Sequence, residues 1–332
     1  VAVTIREVAQ AAGVHVSTVS RTFSAPNLVN AETRERVIAA AAELGYRPNL
    51  AARALTTGRT NNLGLIVADI ANPFFPPLIK AAQSYARVRG YQVFVADTDE
   101  DPRVEEELIG TLARQVDGVL LVSPRLSNAA IARLGADLPF AVVNRRVKGL
   151  PAVLMDVGSG AGAAVDHLAG LGHRRLAVLG GPRSSWTSGQ IRRAAGAAAE
   201  RHGVDLSYHG PNAPTEQGGY RAAAAVLEAG ATGVIAYNDL VAIGAIEGLA
   251  VEGAEVPRDI SVVGVDDTVA GRLNHPKLTT IAMPTQTAGR AAVDLLLQAI
   301  DVAGSGTVQM ILETDLLVRE STGPCPAVDR RA

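Results

Sequence analysis

The segment VTIREVAQAAGVHVSTVSRTFS, residues 3–24, decides how the amino end is read. Thr4 and Glu7 form the T-x-x-E pattern of a capping box, in which each side chain satisfies an amide left free at a helix start. A helix is therefore predicted over Ile5–Ala11, ended by a tight left-handed turn at Gly13, with a second helix over Val16–Phe23. Two short helices joined by a glycine turn make a helix-turn-helix, whose second helix lies in the major groove of DNA. Val16 and Ser17 stand near the start of that helix, and Ser20 and Arg21 one turn on, where side chains reach base edges. Asn30 is placed to cap a third helix, Ala31–Leu44, whose Val37, Ile38, Ala41 and Leu44 are expected to pack beneath the first two.

Charge follows the same division. The chain has 332 residues and a net charge of −2, which taken whole argues against a polyanion partner. Residues 1–60, however, hold seven Arg and four Glu with no Lys or Asp, a balance of +3, which leaves −5 for the remainder. Such asymmetry suggests a nucleic-acid contact confined to one end. With 48% hydrophobic and 19% charged residues the chain is globular, and its length suits two or three domains. The single cysteine, Cys325, cannot form an internal disulfide, and no Cys/His zinc cluster is possible. The opening residues lack the basic start and apolar run of a secretory signal, and no apolar stretch approaches membrane-spanning length. A cytoplasmic location with no membrane partner is expected.

Beyond residue 60 the pattern changes. Short apolar runs recur at 63–67, 91–95, 118–122, 140–143, 152–155, 175–179, 233–236 and 260–264, each separated by a helix's worth of Ala, Leu, Glu and Arg. Runs of this kind mark parallel strands buried on both faces. The fold class expected is an all-α helix-turn-helix head followed by an α/β core of two doubly wound parallel-sheet subdomains. The break between sheets is placed after Met155, where DVGSG interrupts the rhythm, and the runs 308–312 and 315–318 must return to one or both sheets.

The string from residue 3 to 24, with VNAETRERVIAAAAELGYRPN at 29–49, resembles the N-terminal signature of the lactose repressor (LacI) family of bacterial transcription regulators. The resemblance continues in GHRRLAVLGGP at 172–182, YNDLVAIGAI at 237–246 and SVVGVDD at 261–267. It implies a homodimeric, non-enzymatic repressor of carbohydrate genes with a DNA-binding head, a hinge helix and an effector-binding core similar to periplasmic sugar-binding proteins. Its partners would be palindromic double-stranded operator DNA and a small-molecule effector, a sugar or sugar phosphate, with no cofactor and no metal. The corresponding division is 1–46 for the DNA-binding domain and 47–60 for hinge and linker. The N-terminal core subdomain takes 61–157 plus about 286–314, the C-terminal one 158–285 plus about 315–323, and a tail 324–332.

By the same resemblance Val16 and Ser17 occupy the main specificity positions and Arg21 the following basic one. Val16 offers only apolar contact, as to a thymine methyl, whereas Arg21 is suited to a guanine or a phosphate. Thr4, Asn30 and Thr33 match phosphate-contacting positions at helix starts. His15 stands where the family usually has a Ser cap. Pro48 to Leu55 matches the hinge, including Asn49, Ala52, which permits close approach of paired helices, and Leu55, which wedges into the minor groove. So short a segment is marginal as a helix by itself, so its folding is coupled to DNA and to the partner chain.

Ligands of open α/β sheets bind at the carboxyl ends of strands. The loops following the apolar runs carry Asp69, Asn72, Phe74 and Phe75, then Asn144 and Arg145, then Trp186, and finally Asn238 and Asp266. Arg193, in R-x-x-G, matches the family's effector-binding arginine. Stacking faces, a planar donor and amide or carboxylate groups suit a polyhydroxylated ligand. Asn144 replaces a common Asp, and with Arg145 and Arg183 close by, the added positive charge points toward a phosphorylated sugar or another anion as one alternative. Rival readings are weaker. Gly158-x-Gly160-x-x-Ala163 is a lone match to a dinucleotide-binding fingerprint, and the strand after it ends without the acidic partner. Asp97, Asp99 and Asp101 lack the glycine and glutamate of a calcium loop and are expected to cap the next helix. No G-x-S-x-G elbow occurs, and a secreted sugar-binding protein would leave the head without a purpose. The tail STGPCPAVDRRA has no leucine heptads for a tetramerising coiled coil.

Overall fold

A computed structural model describes residues 3–46, 58–302 and 308–326. The hinge positions Asn49, Ala52 and Leu55 lie outside these residues. The chain forms two compact units, Val1–Thr60 and Asn61–Ala332.

In the first unit, α1 (Ile5–Ala11), α2 (Val16–Ser24) and α3 (Ala31–Leu44) enclose a small core of Val8, Ala9, Ala12, Val19, Val37, Ala40 and Ala41. The capping box forms as the sequence predicts, with the Thr4 amide donating to Glu7 Oε2 at 2.7 Å and the Glu7 amide to Thr4 Oγ1 at 3.4 Å. Gly13 takes φ +64°, the left-handed turn expected between the helices. His15 does cap α2, its Nδ1 accepting from the Ser17 amide at 3.3 Å. One expectation fails on α3. Ile38 is 48% exposed and Leu44 37%, while Ala40 is buried in their stead. The inward stripe runs through Val37, Ala40 and Ala41, so Ile38 lies one step, about 100°, round the helix, and Leu44 sits in the last turn, at the carboxyl end of the stripe.

The second unit holds two six-stranded sheets. The first is built from β1 (Asn62–Val67), β2 (Gln92–Asp97), β3 (Gly118–Val122), β4 (Phe140–Val143), β5 (Ala152–Met155) and β11 (Gln309–Leu312). The second comprises β6 (Arg175–Leu179), β7 (Asp205–His209), β8 (Gly233–Ala236), β9 (Ser261–Asp266), β10 (Thr279–Ala282) and β12 (Asp315–Leu317). Their orders are β11-β5-β4-β3-β1-β2 and β12-β10-β9-β8-β6-β7, parallel throughout except for the antiparallel pair β10 and β12. Both sheets thus carry the same doubly wound order, with topological switch points between β1 and β3 and between β6 and β8. Strands β7 and β10 are additions to the sequence reading. DLSYH is a half-exposed edge strand with mixed polarity, and TTIA has only two apolar residues, so neither shows the apolar run used to find the others.

The flanking helices are α4 (Phe75–Val88), α5 (Pro102–Leu112), α6 (Asn128–Leu134), α7 (Val157–Gly170), α8 (Trp186–His202), α9 (Glu216–Glu228), α10 (Asp239–Val251), α11 (Val269–Leu273) and α12 (Thr285–Asp301). The chain passes between sheets three times: after β5, after β10 and after β11. Side chains placed just past strand ends start most of these helices. Asp101, Ser127, Asp156, Ser185, Thr215, Asn238 and Thr268 each accept from an amide in the first turn. This sets the helix amino termini at the carboxyl ends of the strands. Asp101 is the capping residue anticipated from the acidic trio, accepting from the Arg103 amide at 2.7 Å.

Two glycine contacts govern packing. A Cβ on Gly160 of α7 would run into Ile281 of β10, which accounts for the G-x-G match as a helix-on-sheet contact. Helices α9 and α10 approach closely enough that a Cβ on Gly219 would overlap the Val241 carbonyl and one on Gly244 the Glu216 carbonyl. Here backbone meets backbone, with no flexible side chain to yield.

Candidate functional site

On the head, Ser20 and Arg21 project into solvent from α2, and Ser17 is half-buried. Val16 is only partly exposed because its side chain also leans on the head core, so what it presents outward is an apolar edge. Between α2 and α3 lies a concavity bounded by His15, Thr18, Arg21, Asn30, Thr33 and Arg36. Asn30 Oδ1 caps α3 through the Glu32 amide at 2.9 Å, leaving its amide nitrogen for an outside acceptor. Thr4 differs from expectation. Its hydroxyl donates to Glu7 Oε2 at 2.8 Å, so the polar group expected to meet a phosphate is engaged by a carboxylate of its own helix. The Thr4 amide and hydroxyl hold the Glu7 carboxyl below its usual range, which keeps that carboxylate charged.

In the second unit, loops from both sheets line one pocket. Asn72, Phe74 and Phe75 follow β1, Glu100 follows β2, Ser123 and Arg125 follow β3, and Asn144 follows β4. From the other sheet come Thr187 after β6, Pro214 after β7, Tyr237 and Asn238 after β8, Asp266 closing β9, and Met283 after β10. This is the crevice at the switch points of two facing sheets, where open α/β folds bind ligands.

Six residues singled out from the sequence line it: Asn72, Phe74, Phe75, Asn144, Asn238 and Asp266. Phe74 and Phe75 stand edge to face, 5.0 Å between centroids at 88°, with Phe75 opening α4 and held in the core. Asn144 Oδ1 accepts from the Met155 amide at 3.3 Å, fixing the side chain. Asn238 spends its Oδ1 on the Val241 amide at 2.8 Å and its Nδ2 on the Pro214 carbonyl at 2.9 Å, so it shapes the wall.

Four others are placed elsewhere. Asp69 closes its own turn by accepting from the Ala71 amide at 2.8 Å. Arg145 donates to Asn128 Oδ1 at 2.8 Å and to the carbonyls of Pro124 and Ser184, each at 3.1 Å, the last linking the two sheets' loops across the cleft. Trp186, the first residue of α8, is half-buried beside the lining Thr187 but outside the cavity. Arg193 is exposed. It lies six residues past Thr187, about 120° round the helix, whereas the position one turn on from Thr187 is the buried Ile191.

The residues that sequence reading missed include the most polar part of the wall. Arg125 is 5% exposed; its Nη2 donates to Glu100 Oε1 at 2.8 Å, its Nε to Glu100 Oε2, and its Nη1 to the Ser123 carbonyl at 2.7 Å. Behind them Glu105, 2% exposed, accepts from the amides of Arg125 and Leu126 at 2.7 and 3.2 Å while its Oε1 has no partner. Burial pushes the Glu105 carboxyl up despite those two amide bonds. The Tyr237 hydroxyl is hydrogen-bonded to Ser185 Oγ at 3.0 Å. Burial, reinforced by the Asp239 carboxylate, pushes Asp266 well above the usual carboxylate range. Four lining residues that are not glycine, Glu100, Ser123, Asn144 and Asp266, have φ of +63°, +52°, +55° and +117°. Strained backbone of this kind, at about 1–3 kcal/mol per residue, gathers at functional sites where the surroundings hold it in place.

Among the described residues no helix is long and apolar enough to cross a membrane, and no cluster of three or more metal-ligating side chains occurs. Residues 4–49 match the family model "Bacterial regulatory proteins, lacI family", and residues 165–322 match "Periplasmic binding protein-like domain". The HTH-type transcriptional regulator DegA of Bacillus subtilis is 32% identical over 97% of this chain and 98% of its own length. The ribose operon repressor of Halalkalibacterium halodurans is 31% identical over 96% of this chain and 97% of its own. Among solved structures, the lac repressor dimer bound to operator and the anti-inducer ONPF superposes with a TM-score of 0.86 at 27% identity, covering 97% of this chain and all of that one.

Proposed function

The chain belongs to the lacI family of bacterial regulatory proteins, and we propose from that premise that each head of a dimer reads one half of a palindromic operator while the cleft binds a small effector that alters the grip on DNA. It is a DNA-binding transcriptional regulator with a sugar-type effector core, a repressor of carbohydrate genes. The observation that carries this reading is a pocket walled by loops from both sheets in a chain that also bears a basic helix-turn-helix. A ligand touching both walls favours one angle between the sheets, and a coupling of about 1–3 kcal/mol changes operator affinity roughly 5- to 150-fold. Relatives of this chain are regulators and not enzymes, and a cytoplasmic location accords with that work.

Roles follow by residue. Val16, Ser17, Ser20 and Arg21 face base edges, Asn30 and Thr33 face phosphate across the concavity between α2 and α3, and Leu55, with Asn49 and Ala52, serves the minor groove between half-sites. Selection of bound duplexes from a random library should return an inverted repeat. Arg21→Ala should then relax preference at one position per half-site and weaken binding by about 1–3 kcal/mol for each half-site. A non-repeated consensus would overturn the dimeric reading.

In the cleft, Asp266 accepts from ligand hydroxyls most strongly as the ionised carboxylate. Because burial and the Asp239 carboxylate raise its titration, a ligand that favours the ionised form binds with release of a proton below that point. Effector affinity should therefore rise with pH through the raised titration of Asp266 and level off above it, and Asp266→Asn should flatten the profile. Calorimetry at a series of pH values checks both.

A further inference from the structure

We infer that His15, the cap of α2, fixes the direction of the Ser17 hydroxyl and so makes Ser17 a reader of exocyclic amines in the major groove. This rests on the base-facing reading of Ser17 proposed above. The geometry leaves one arrangement of hydrogens. The Ser17 amide reaches His15 Nδ1 at 3.3 Å, and an amide can only donate, so Nδ1 presents its lone pair and the hydrogen of the neutral ring sits on Nε2. Ser17 Oγ lies 2.9 Å from the same nitrogen. A ring nitrogen without a hydrogen can only accept, so the hydroxyl of Ser17 gives its one hydrogen to the ring. Ser17 then has lone pairs, and no hydrogen, left for a base.

A serine whose hydroxyl is free to turn can donate or accept and so suits any base. The tie to His15 removes that freedom. In the major groove adenine N6 and cytosine N4 offer hydrogens, whereas guanine O6 and thymine O4 offer lone pairs. A Ser17 oxygen that can only accept is satisfied by an amine and is left lone pair against lone pair at a carbonyl. A serine cap, the residue expected at position 15, would itself donate or accept and would impose no direction on its neighbour. The ring also has a second handle. His15 is exposed at the rim of the concavity that Asn30 and Thr33 share, and its Nε2 makes no bond to a described residue. A phosphate oxygen accepting from Nε2 holds the ring in the same tautomer, so a contact to the backbone enforces the reading of a base. A second proton reverses the arrangement. Nδ1 then donates to Ser17 Oγ, frees the hydroxyl hydrogen and deprives the Ser17 amide of its acceptor. The charged groups that border the concavity with the ring are Arg21 of α2 and Arg36 of α3, the latter 3.8 Å from Glu32. Both arginines stay charged at any ordinary pH, so the ring is the group among these three that titrates.

The test uses the full chain and duplexes of the selected operator, altered in both half-sites at the base pair whose preference Ser17→Ala abolishes. One duplex lacks the exocyclic amine, with purine in place of adenine or pyrimidin-2-one in place of cytosine. The other lacks the carbonyl, with 5-methylpyrimidin-2-one for thymine or 2-aminopurine for guanine. Losses of affinity are taken relative to Ser17→Ala, which cancels any change in base pairing. At about pH 8, above the usual histidine range, deleting the amine should cost wild type about tenfold, the worth of two hydrogen bonds, and deleting the carbonyl less than about twofold. His15→Gly still starts the helix adequately but has nothing to hold the hydroxyl, and should cut the amine penalty below about threefold. His15→Asp, whose carboxylate only accepts, should keep that penalty while weakening binding to the phosphates as a whole. Lowering the pH to about 5.5, below that range, should cut the penalty in wild type and leave it in His15→Asp. A cap that merely holds the helix would move total affinity and leave the amine penalty where it was. A penalty on the carbonyl instead of the amine, one that survives His15→Gly or low pH in wild type, or one lost in His15→Asp would each overturn the inference. If Ser17→Ala alters the preference at no base pair, the base-facing reading of Ser17 is what fails, and the inference falls with it.

Discussion

A chain lacking residues 1–60 is expected to lose specific operator binding altogether while keeping effector affinity within about twofold. The removed segment carries +3 and the candidate base-facing residues, whereas the remainder carries −5 and would repel DNA. Specific binding in such proteins exceeds non-specific binding by roughly 10³–10⁷-fold, so the loss should reach the floor of an anisotropy titration on the selected operator. Retention of effector affinity is expected because every lining residue of the cleft lies beyond residue 70 and Asn61–Ala332 forms its own compact unit. Specific binding that survived the deletion would place the DNA interface elsewhere.

The second large effect concerns stability. Gly244→Ala should destabilise the larger unit by about 3 kcal/mol, the upper end for overpacking, because its new methyl meets the Glu216 carbonyl of the facing helix. The clash is relieved only by separating α9 from α10, which also pulls Gly219 off the Val241 carbonyl. At roughly 2–4 °C per kcal/mol for a domain of this size, the melting temperature should fall by about 6–12 °C. Gly196 in α8 makes the control, since a Cβ there has nothing within 4 Å, and alanine should gain up to about 1 kcal/mol from helix propensity. Equal melting temperatures for the two variants would show that the α9–α10 approach is not as close as described.

The strands buried on both faces were legible because burial leaves them no choice but continuous apolar residues. The runs at 118–122 and 140–143 coincide with β3 and β4, every residue of which is buried. Edge strand β7 shows no such run because one side faces solvent, and β10 shows none because two of its four residues are threonines. The loops that build the cleft could be found from the strand-end rule, but the inward-facing residue in each could not. Arg125 sits in a stretch, SPRLS, with no motif, and only folding brings Glu100 from the neighbouring loop to its guanidinium. Arg193 shows the converse. Its R-x-x-G setting points to the cleft, but on α8 it is Thr187 that lines the pocket, while Arg193 is exposed. Thr4 was correctly read as a cap, and that very role occupies its hydroxyl.

The three passages between the sheets have a mechanical meaning. A single connection would let the two halves swivel and drift in any direction, but three run side by side, after Met155, Ala282 and Leu312, and act as straps across a joint. Straps in parallel resist sliding and twisting and leave one easy motion, a nodding of one half toward the other, which is the motion that opens or shuts a crevice at the strand ends. The joint is also a constraint on the gene. Residues 61–155 by themselves lack β11 and the packing of α12 against β3, β4 and β5. Neither half can therefore be expressed as one unbroken segment, and a single proteolytic cut at any strap leaves two still fastened.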